Sequence, residues 1–479
     1  MTTLYWHDYE SWGANPSVDR PAQFAGVRTD EELNIISEPL VLYCKPAEDV
    51  LPHAEACLVT GISPQLAQQK GLPEYRFMRE IHRELATPGT VGVGYNSLRF
   101  DDEMTRYSLY RNFYEPYERE WRYGNGRWDI IDMMRLVYAL RPEGIHWPEV
   151  DGKPSFRLEL LTAANGISHG AAHDAYSDVE ASIQLARKVR QLKPELYNYV
   201  YAQRTKKSAA KMIDVRSRKP LLHISSKFPA SRGCAGLIVP LAAHPQNNNA
   251  VICFELSVDP AALENLNAEQ IRQRVFSAQS ELPEGQERLP LKLVHLNKCP
   301  ILLPTRMLDE KAAARLGIDR QRCEKHWQKL LGMELEFKLR EVFSEQNFAK
   351  RDDAEQQLYD GFIGDADKHT MKLLREAGAD AWVEAPWHFA DQRLNDILPR
   401  YKARNFPELL SEAERNLWQQ FVAQRLRDGE PGIQSCAQLK QRIHALRAER
   451  ELDDRAVSVL GELEAWADGL ANQYLTNKR

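Results

Sequence analysis

The spacing of apolar residues divides the chain into three stretches of different character. Up to about residue 192, short apolar runs alternate with stretches in which apolar residues recur every three or four positions. The predicted strands are 3–10, 23–29, 40–44 and 90–95, and the predicted helices are 74–86, 101–114, 129–140, 157–165 and 174–192. The first three strands follow one another as in a meander, and later strands alternate with helices. We therefore expect an α/β domain with a mixed sheet and helices packed on it.

Beyond residue 192 the pattern changes twice. Strand-like runs separated by Gly, Pro and Asn lie at 219–225, 236–242, 250–256 and 291–296. From about residue 306 helical patterns predominate, at 308–316, 319–331, 334–346, 353–362, 365–376, 408–426, 434–449 and 452–475. These patterns predict a small β-rich domain followed by an α-helical C-terminal domain.

Composition places the chain among reduced globular proteins with more than one core. Its 479 residues predict roughly two to four domains. No run of about 18 apolar residues is present, and the first residues lack a signal-peptide pattern, so we expect no membrane contact. The seven cysteines are scattered without a Cys-x-x-Cys pair, which favours neither a disulfide framework nor a thiolate zinc site. A cytoplasmic location is the expectation.

Two carboxylates stand close together near the N-terminus, in the sequence Trp6-His7-Asp8-Tyr9-Glu10. The segment follows apolar residues and soon meets Gly13 and Pro16, so it is typical of a short strand. Residues i and i+2 of a strand point to the same side, which places Asp8 beside Glu10. Like charges at that distance repel, so we expect a divalent cation such as magnesium or manganese, which prefers oxygen ligands. Two solvated acids on a surface strand are the alternative for this pair alone.

Three further positions carry candidate chemistry. Asp101 opens a predicted helix, where an Asp also serves as a helix N-cap. Asp178 falls in the first turns of an amphipathic helix, and His173 lies five residues before it, on the loop that leads into this helix. A loop histidine can titrate near neutral pH, as a general base should, whereas a capping or surface histidine is the alternative.

Taken in order, Asp8, Glu10, Asp101, His173 and Asp178 resemble the site of the DEDDh exonucleases, whose fold is ribonuclease-H-like. The resemblance implies that the four carboxylates hold metal and that His173 is the general base. It also implies two Mg2+ ions per site, for which Mn2+ can substitute, because two metal ions roughly 4 Å apart can clamp the attacking and leaving oxygens of a phosphodiester.

Motifs spread over almost the whole chain carry a closer resemblance. They are residues 8–10, 19–25, 94–96, 99–103, 110–114, 139–145, 154–159, 293–300, 315–321 and 401–407. Through them the chain resembles the bacterial exonuclease I family, which digests single-stranded DNA from the 3′ end. The resemblance implies a DEDDh exonuclease domain at 1–192, an SH3-like domain with a basic linker at 193–347, and a helical C-terminal domain at 348–479.

Residues 99–141 interleave arginines with aromatic side chains, the mixture that holds single-stranded nucleic acid. By resemblance, the expected DNA contacts are Arg106, Tyr117, Trp121 and Arg135. Arg157 and Glu10 are expected at the terminal nucleotide, with a surface arginine as the alternative for Arg157. Three other aromatic residues of this stretch, Tyr107, Tyr110 and Phe113, are predicted to belong to the core.

A basic segment marks the start of the β-rich stretch. Residues 201–233 contain nine Lys or Arg and one acid, Asp214, a local charge of nine minus one, or +8, in a chain of net charge −5. This asymmetry favours a phosphate-tracking groove over a flexible basic linker.

The expected function is magnesium-dependent 3′→5′ digestion of single-stranded DNA to 5′-mononucleotides by a monomer, in DNA repair and recombination. The resemblance also implies binding of the acidic, apolar tail of single-strand DNA-binding protein, with Arg141 at a matching basic position, although residues 303–309 depart from the family pattern. RNA ends are an alternative substrate, which the roughly 290 residues beyond the first domain argue against. A non-catalytic DNA-binding scaffold is the other alternative, against which the intact set of five site residues counts.

Overall fold

The computed structural model describes residues 2–168, 174–344, 351–378, 381–382, 387–449 and 451–476. The chain divides into two compact units. The first comprises Met1–Gly126, Gly170–Glu180 and Lys350–Arg479, and the second comprises Arg127–His169 and Ala181–Ala349.

The sheet of the first unit is mixed, as the sequence pattern predicts. Its strands are β1 (Thr3–Ser11), β2 (Pro21–Thr29), β3 (Leu40–Tyr43) and β4 (Thr90–Gly94), in the order β3-β2-β1-β4. β1 is antiparallel to β2 and parallel to β4, and β3 is antiparallel to β2. All four predicted strands are confirmed within two residues.

Four α-helices belong to this part of the unit. Between β3 and β4 lie α1 (Ala54–Thr60), α2 (Pro64–Lys70) and α3 (Glu74–Leu85), and α4 (Asp101–Arg111) follows β4. Tyr5 and Tyr9 of β1 point to the same side of the sheet and pack in one buried cluster with Phe77 of α3 and Met104 of α4. The opposite side of β1 is therefore the one that carries Trp6, Asp8 and Glu10.

The chain then passes through β5 (Gly126–Asp129) into the second unit. Its first elements are α5 (Ile130–Leu140), β6 (Glu149–Val150), β7 (Lys153–Pro154) and α6 (Leu158–Ala164). Helix α7 (Ala175–Leu192) begins in the first unit and ends in the second. Two further helices, α8 (Pro194–Gln203) and α9 (Lys206–Met212), precede the β-rich part.

A second sheet of five antiparallel strands forms the β-rich part. The strands are β8 (Leu221–Ile224), β9 (Ala235–Ala243), β10 (Ala250–Glu255), β11 (Leu291–His295) and β12 (Ile301–Pro304), in the order β11-β10-β9-β8-β12. Its helices are α10 (Ala261–Asn265), α11 (Ala268–Phe276), α12 (Glu310–Arg315), α13 (Arg320–Leu331) and α14 (Glu336–Ser344). The sequence pattern missed β12. The basic segment 201–233 forms α9, a turn and β8.

The C-terminal stretch of the first unit is helical. Its longer helices are α15 (Asp365–Glu376), α16 (Gln392–Asn405), α17 (Glu412–Asp428), α18 (Cys436–Glu449) and α19 (Asp454–Tyr474). They share buried apolar clusters with the N-terminal part of the unit: Leu51 and Cys57 pack with Val422 and Leu460. The predicted core residues Tyr107, Tyr110 and Phe113 are confirmed, since they lie in a buried cluster with Met371 and Tyr401.

The predicted helix over 353–362 is wrong. Only a short 3-10 turn forms there, Ala354–Gln356, with the Asp353 side chain accepting a hydrogen bond from the Glu355 backbone N–H. Both carboxylates also form ion pairs with buried arginines, which a regular helix pattern does not reveal. Helix α16 was missed and contains Pro399, a residue that removes one backbone hydrogen bond.

No helix among the described residues is both long enough and apolar enough to cross a bilayer. All seven cysteines are free thiols, in agreement with the prediction of no disulfide framework.

Candidate active site

The site begins on β1, whose alternation sets two carboxylates side by side. Asp8 lies opposite Ala25 and Glu10 lies opposite Gln23 in the β1–β2 pair. Asp8 is half-buried and Glu10 is buried. The predicted strand and the predicted neighbourhood of the two acids are both observed.

Helix α7 adds a third carboxylate. One oxygen from each of Asp8, Glu10 and Asp178 lies within 4.8 Å of the others. The first and last of these residues are separated by about 170 positions in the sequence, so their convergence is a product of the tertiary fold.

Asp101 supplies the fourth carboxylate. It is the first residue of α4, and the helix N-cap position is Phe100, so the alternative of an N-cap role does not apply. Instead, its Oδ1 accepts a hydrogen bond of 3.0 Å from the backbone N–H of Tyr9, which lies between Asp8 and Glu10. This bond ties the start of α4 to the strand that carries the other two acids.

The neighbouring carboxylates oppose the ionisation of Asp8 and of Glu10. Burial, then the charges of Asp101, Glu10 and Asp178, raise the pKa of Asp8 well above its usual value. Burial, followed by the charges of Asp178 and Asp101, raises the pKa of Glu10 to about 9. Such a cluster is costly when ionised, and a bound divalent cation removes that cost, so the donor set fits a hard cation with oxygen ligands.

A buried layer lies behind this cluster and was not predicted from the sequence. Asp102, next to Asp101, forms a buried ion pair with Arg119, whose Nη2 lies 2.5 Å from Asp102 Oδ1. Burial lowers the pKa of His7, next to Asp8, to about 4, so its ring is neutral at physiological pH. The only sequence signal for this layer is the proximity of Asp102 and His7 to the site acids.

The predicted general base, His173, lies outside the described residues. Asp174, the next residue of the chain, lies immediately before α7. The charge of Asp174 also contributes to the raised pKa values of Asp8 and Glu10, so it lies near the cluster as a fifth acid that sequence reasoning missed.

The residues predicted to contact DNA differ in their environment. Arg106 is buried and bonds the carboxylates of Glu120 and Glu103. Tyr117 is half-buried below the guanidinium of Arg106, and Trp121 is 65% exposed.

The predicted contacts in the second unit also differ. Arg135 is buried and pairs with Asp132. Arg157 is exposed at the start of α6. Arg141 is also exposed, and its Nη1 lies 3.3 Å from Asp309 Oδ2.

Two aromatic residues that sequence reasoning missed complete a surface cluster around Tyr117. The ring of Tyr359 lies 6.4 Å from that of Tyr117, and the ring of Phe362 lies 6.1 Å from it. Phe362 is 90% exposed, which is unusual for a phenylalanine with aromatic neighbours. Tyr117, Tyr359 and Phe362 are called the aromatic cluster below. Both new members lie in the stretch wrongly predicted as a helix, which explains why they were missed.

Comparisons with known proteins cover nearly the whole chain. Three family models match consecutive parts: an exonuclease model over residues 5–186, an exonuclease I SH3-like domain model over 204–345, and an exonuclease I C-terminal domain model over 352–470. The chain is 44% identical to exodeoxyribonuclease I of Haemophilus influenzae over 452 residues, covering 94% of this chain and 96% of that relative. It is 46% identical to exodeoxyribonuclease I of Escherichia coli K12 over 421 residues, covering 87% and 88%.

Solved structures give the same result. An exonuclease I from Methylocaldum szegediense superposes with a TM-score of 0.94 at 48% identity, over 98% of this chain and 100% of that one. The zinc-bound complex of Escherichia coli exonuclease I with single-stranded DNA superposes with a TM-score of 0.93 at 42% identity, over 98% and 100%.

Fold and site together define a ribonuclease-H-like exonuclease domain, followed by an SH3-like domain and a helical C-terminal domain, which confirms the predicted fold class. The chain belongs to the exonuclease I family. The predicted resemblance and the exonuclease class of enzyme are thereby confirmed, while the exact boundaries at 192 and 347 stay predictions.

Proposed function

We propose that this protein hydrolyses single-stranded DNA from the 3′ end and releases 5′-mononucleotides. The observation that carries the proposal is the convergence of Asp8, Glu10 and Asp178, whose ligand oxygens lie within 4.8 Å, beside Asp101. Two relatives that match most of this chain are named exodeoxyribonuclease I, and one solved relative holds single-stranded DNA.

Asp8, Glu10, Asp101 and Asp178 are the residues that would hold the metal, for which we propose two Mg2+ ions, with Mn2+ as a substitute. Bound there, the metal would supply charge stabilisation to the attacking and leaving oxygens of the phosphodiester. The solved relative holds zinc, so a divalent cation is supported by that structure and the choice of magnesium is part of the proposal. Carboxylate oxygens suit a hard ion such as magnesium.

The chain's own residues would divide the remaining work. His173, one residue before Asp174, would take the proton of the attacking water. Arg157 is exposed, and the planar guanidinium of an arginine matches the geometry of a phosphate, so it is suited to hold the phosphate of the terminal nucleotide. Glu10 would contact that nucleotide as well as the metal.

The aromatic cluster is the surface that we propose for base stacking. Exposed rings on a surface with arginines hold single strands regardless of sequence, because every base has a face that stacks. Trp121 would add a further ring. Arg106 already pairs with two carboxylates, so we propose that its guanidinium, which lies over the Tyr117 ring, orients that ring and thereby serves DNA binding indirectly.

Replacing Phe362 by alanine is expected to weaken single-stranded DNA binding roughly 5- to 100-fold, the equivalent of one lost base stack. Fluorescence anisotropy with a labelled oligonucleotide measures this. Phe337→Ala is a matched control. Phe337 is likewise a highly exposed phenylalanine, at 85%, but it lies in α14 of the second unit, outside the aromatic cluster. Equal loss of affinity in both variants would contradict the proposed stacking surface.

Replacing His173 by alanine is expected to lower turnover by about 10²- to 10⁴-fold, the usual contribution of a general base. The concentration of Mg2+ needed for half-maximal activity should change little, because the four carboxylates remain. His146→Ala, at an exposed histidine of the second unit, is the control. Turnover at the wild-type rate near pH 7 would remove His173 from this role.

The cellular role that we propose is DNA repair and recombination, with the tail of single-strand DNA-binding protein as a partner. Arg141 is exposed and could receive an acidic tail, but Asp309 lies beside it and competes for the guanidinium. Asp309 also caps α12 by accepting a hydrogen bond from Ala312 N, so its position is fixed. This acid is expected to weaken the contact with an acidic tail relative to an unopposed arginine.

The experiment that tests the proposed activity uses the purified protein, Mg2+, and single-stranded DNA labelled at the 5′ or the 3′ end, with matched RNA alongside. Rapid release of labelled mononucleotide from the 3′ end of DNA alone is the expected result. Release from RNA would change the substrate class, and binding without cleavage in Mg2+ or Mn2+ would overturn the proposal in favour of a scaffold.

A further inference from the structure

Gln23 is a buried polar residue directly opposite a proposed metal ligand. It lies on β2, faces Glu10 in the β1–β2 register, and is 2% exposed. A buried amide must find hydrogen-bond partners, because leaving its polar atoms unsatisfied destabilises the fold. The hydrogen-bond partners of Gln23 therefore show which part of the fold this side chain holds in place.

Both ends of the Gln23 amide bond the start of α7. Nε2 donates to Asp174 Oδ1 at 3.2 Å, and Oε1 accepts from the backbone N–H of Ala175 at 3.3 Å. The orientation of the amide follows from chemistry: the backbone N–H of Ala175 can only donate, so the amide oxygen faces it and the amide nitrogen faces Asp174. One side chain thus satisfies a donor and an acceptor in adjacent residues of another element.

Asp174 connects Gln23 to the first turn of α7. Its Oδ2 accepts a hydrogen bond of 3.3 Å from Ser177 N, and its carbonyl oxygen accepts one of 3.1 Å from Asp178 N. Gln23 therefore holds the residue that caps the first turn of α7, and Asp178 lies at the end of that turn.

We propose that Gln23 is a positioning residue, which clamps the first turn of α7 to β2 so that the Asp178 carboxylate meets those of Asp8 and Glu10. The inference rests on the proposed function.

The side-chain chemistry at position 23 is specific. A glutamate would keep the bond from Ala175 N but would turn a second carboxylate toward Asp174, beside a cluster that is already acidic. A methionine of similar length would lose both bonds. Among glutamine, ionised glutamate and methionine, only the glutamine amide offers both the acceptor and the donor that the start of α7 uses.

The test is a charge exchange across this contact, with four proteins: wild type, Gln23→Glu, Asp174→Asn, and the double variant. Gln23→Glu is expected to lower kcat roughly 10- to 100-fold, the usual effect of removing a residue that orients a metal ligand. The KM for single-stranded DNA should stay within about twofold of the wild-type value. The change leaves intact the contacts that bind the substrate and the transition state equally well. In the double variant, the amide introduced at position 174 can donate to the carboxylate introduced at position 23. The total charge then equals that of the wild type, and kcat should recover to within a few-fold.

A second readout does not depend on activity. Gln23→Met removes both hydrogen bonds without adding charge, and its affinity for Mn2+, measured by electron paramagnetic resonance, is expected to fall about 10- to 100-fold. The double variant should bind Mn2+ like the wild type. A thermal melt of each variant separates misplacement of Asp178 from loss of folding.

The outcomes distinguish the two proposals. A Gln23→Glu protein with wild-type kcat, or a folded double variant no faster than Gln23→Glu, would overturn the positioning role. Unchanged Mn2+ affinity in folded Gln23→Met would do the same. A wild-type protein that binds Mn2+ but does not cleave DNA would overturn the proposed function, while weaker Mn2+ binding by Gln23→Met would still support the positioning role.

Discussion

Replacing Asp8 or Asp178 by alanine is expected to abolish cleavage of single-stranded DNA, with a loss on the order of 10³-fold or more, typical of a residue that acts as one member of a catalytic set. Three carboxylate oxygens lie within 4.8 Å, so the removal of either residue takes away a ligand that the others cannot replace. Single-turnover cleavage of 3′-labelled DNA in Mg2+ measures the loss.

Binding of the same oligonucleotide in the absence of metal should remain near the wild-type level, because the proposed stacking surface is formed by other residues. Asp365→Ala is the control, since its side chain is fully exposed. Mg2+ should raise the thermal midpoint of the wild type but not that of the Asp8 variant, because a cation stabilises only the state that binds it. Loss of binding together with cleavage would indicate misfolding, and cleavage at the control rate would exclude these acids from the metal site.

Replacing Asp49 by asparagine is expected to destabilise the first unit by about 3–5 kcal/mol, the cost of breaking a buried ion pair on one side. The Asp49 side chain is fully buried and bonds Arg404 through both carboxylate oxygens, at 2.9 and 2.6 Å, and Arg425 at 2.8 Å. Arg404 also bonds Glu355, so the loss of one carboxylate leaves two guanidinium groups undercompensated.

The same contacts predict how stability depends on pH. Burial alone would raise the pKa of Asp49, but the charges of Arg404 and Arg425 outweigh burial and hold this pKa well below its usual range. The pKa of Glu355 is likewise held well below its usual range, where burial is outweighed by Arg20 and Arg404. A carboxyl group whose pKa is lower in the folded protein than in the unfolded chain stabilises the fold. This stabilisation is complete above the pKa of the unfolded chain, near pH 4, and is lost as the pH falls below that value.

Thermal melts from pH 7 to pH 3 measure both the loss of stability in Asp49→Asn and the dependence of stability on pH. The wild-type midpoint should fall steeply below about pH 4, and the difference between the wild type and Asp49→Asn should shrink there. The reason is that the Asp49 carboxyl group binds a proton in the unfolded chain at this pH but stays ionised in the folded protein, so the unfolded state gains stability. Asp365→Asn, at a fully exposed position, should follow the wild type throughout. A variant as stable as the wild type at pH 7 would show that this buried ionic contact contributes nothing net.

Local patterns were sufficient for most elements around the site. The strand that carries Asp8 and Glu10 follows from apolar residues and the twofold period of a strand, and the observed β1 agrees with it. The helices that begin near Asp101 and Asp178 follow from the 3.6-residue period, and α4 and α7 begin at or within one residue of their predicted starts. Both signals depend only on neighbouring residues, which is why they can be read directly.

Local patterns failed where side chains are used by distant partners. Arg106 looked like a free cation among aromatic residues, yet Glu120, 14 positions further along the chain and outside the same helix, pairs with it at 2.7 Å. Residues 353–362 looked helical, yet Glu355 is drawn into the buried contact with Arg20 and Arg404, both distant in the sequence. A hydrogen bond or an ion pair over tens or hundreds of residues leaves no periodic trace.

The amino-acid sequence by itself determined the order of strands and helices around the acids, the family, and the identity of the carboxylates that form the candidate metal site. Only the tertiary structure decided that Asp101 bonds the strand instead of capping its own helix, that Gln23 holds the start of α7, and that an aromatic cluster forms beside Tyr117. The physical reason is range: periodicity records which face of an element is buried, whereas these contacts depend on which distant element packs against that face.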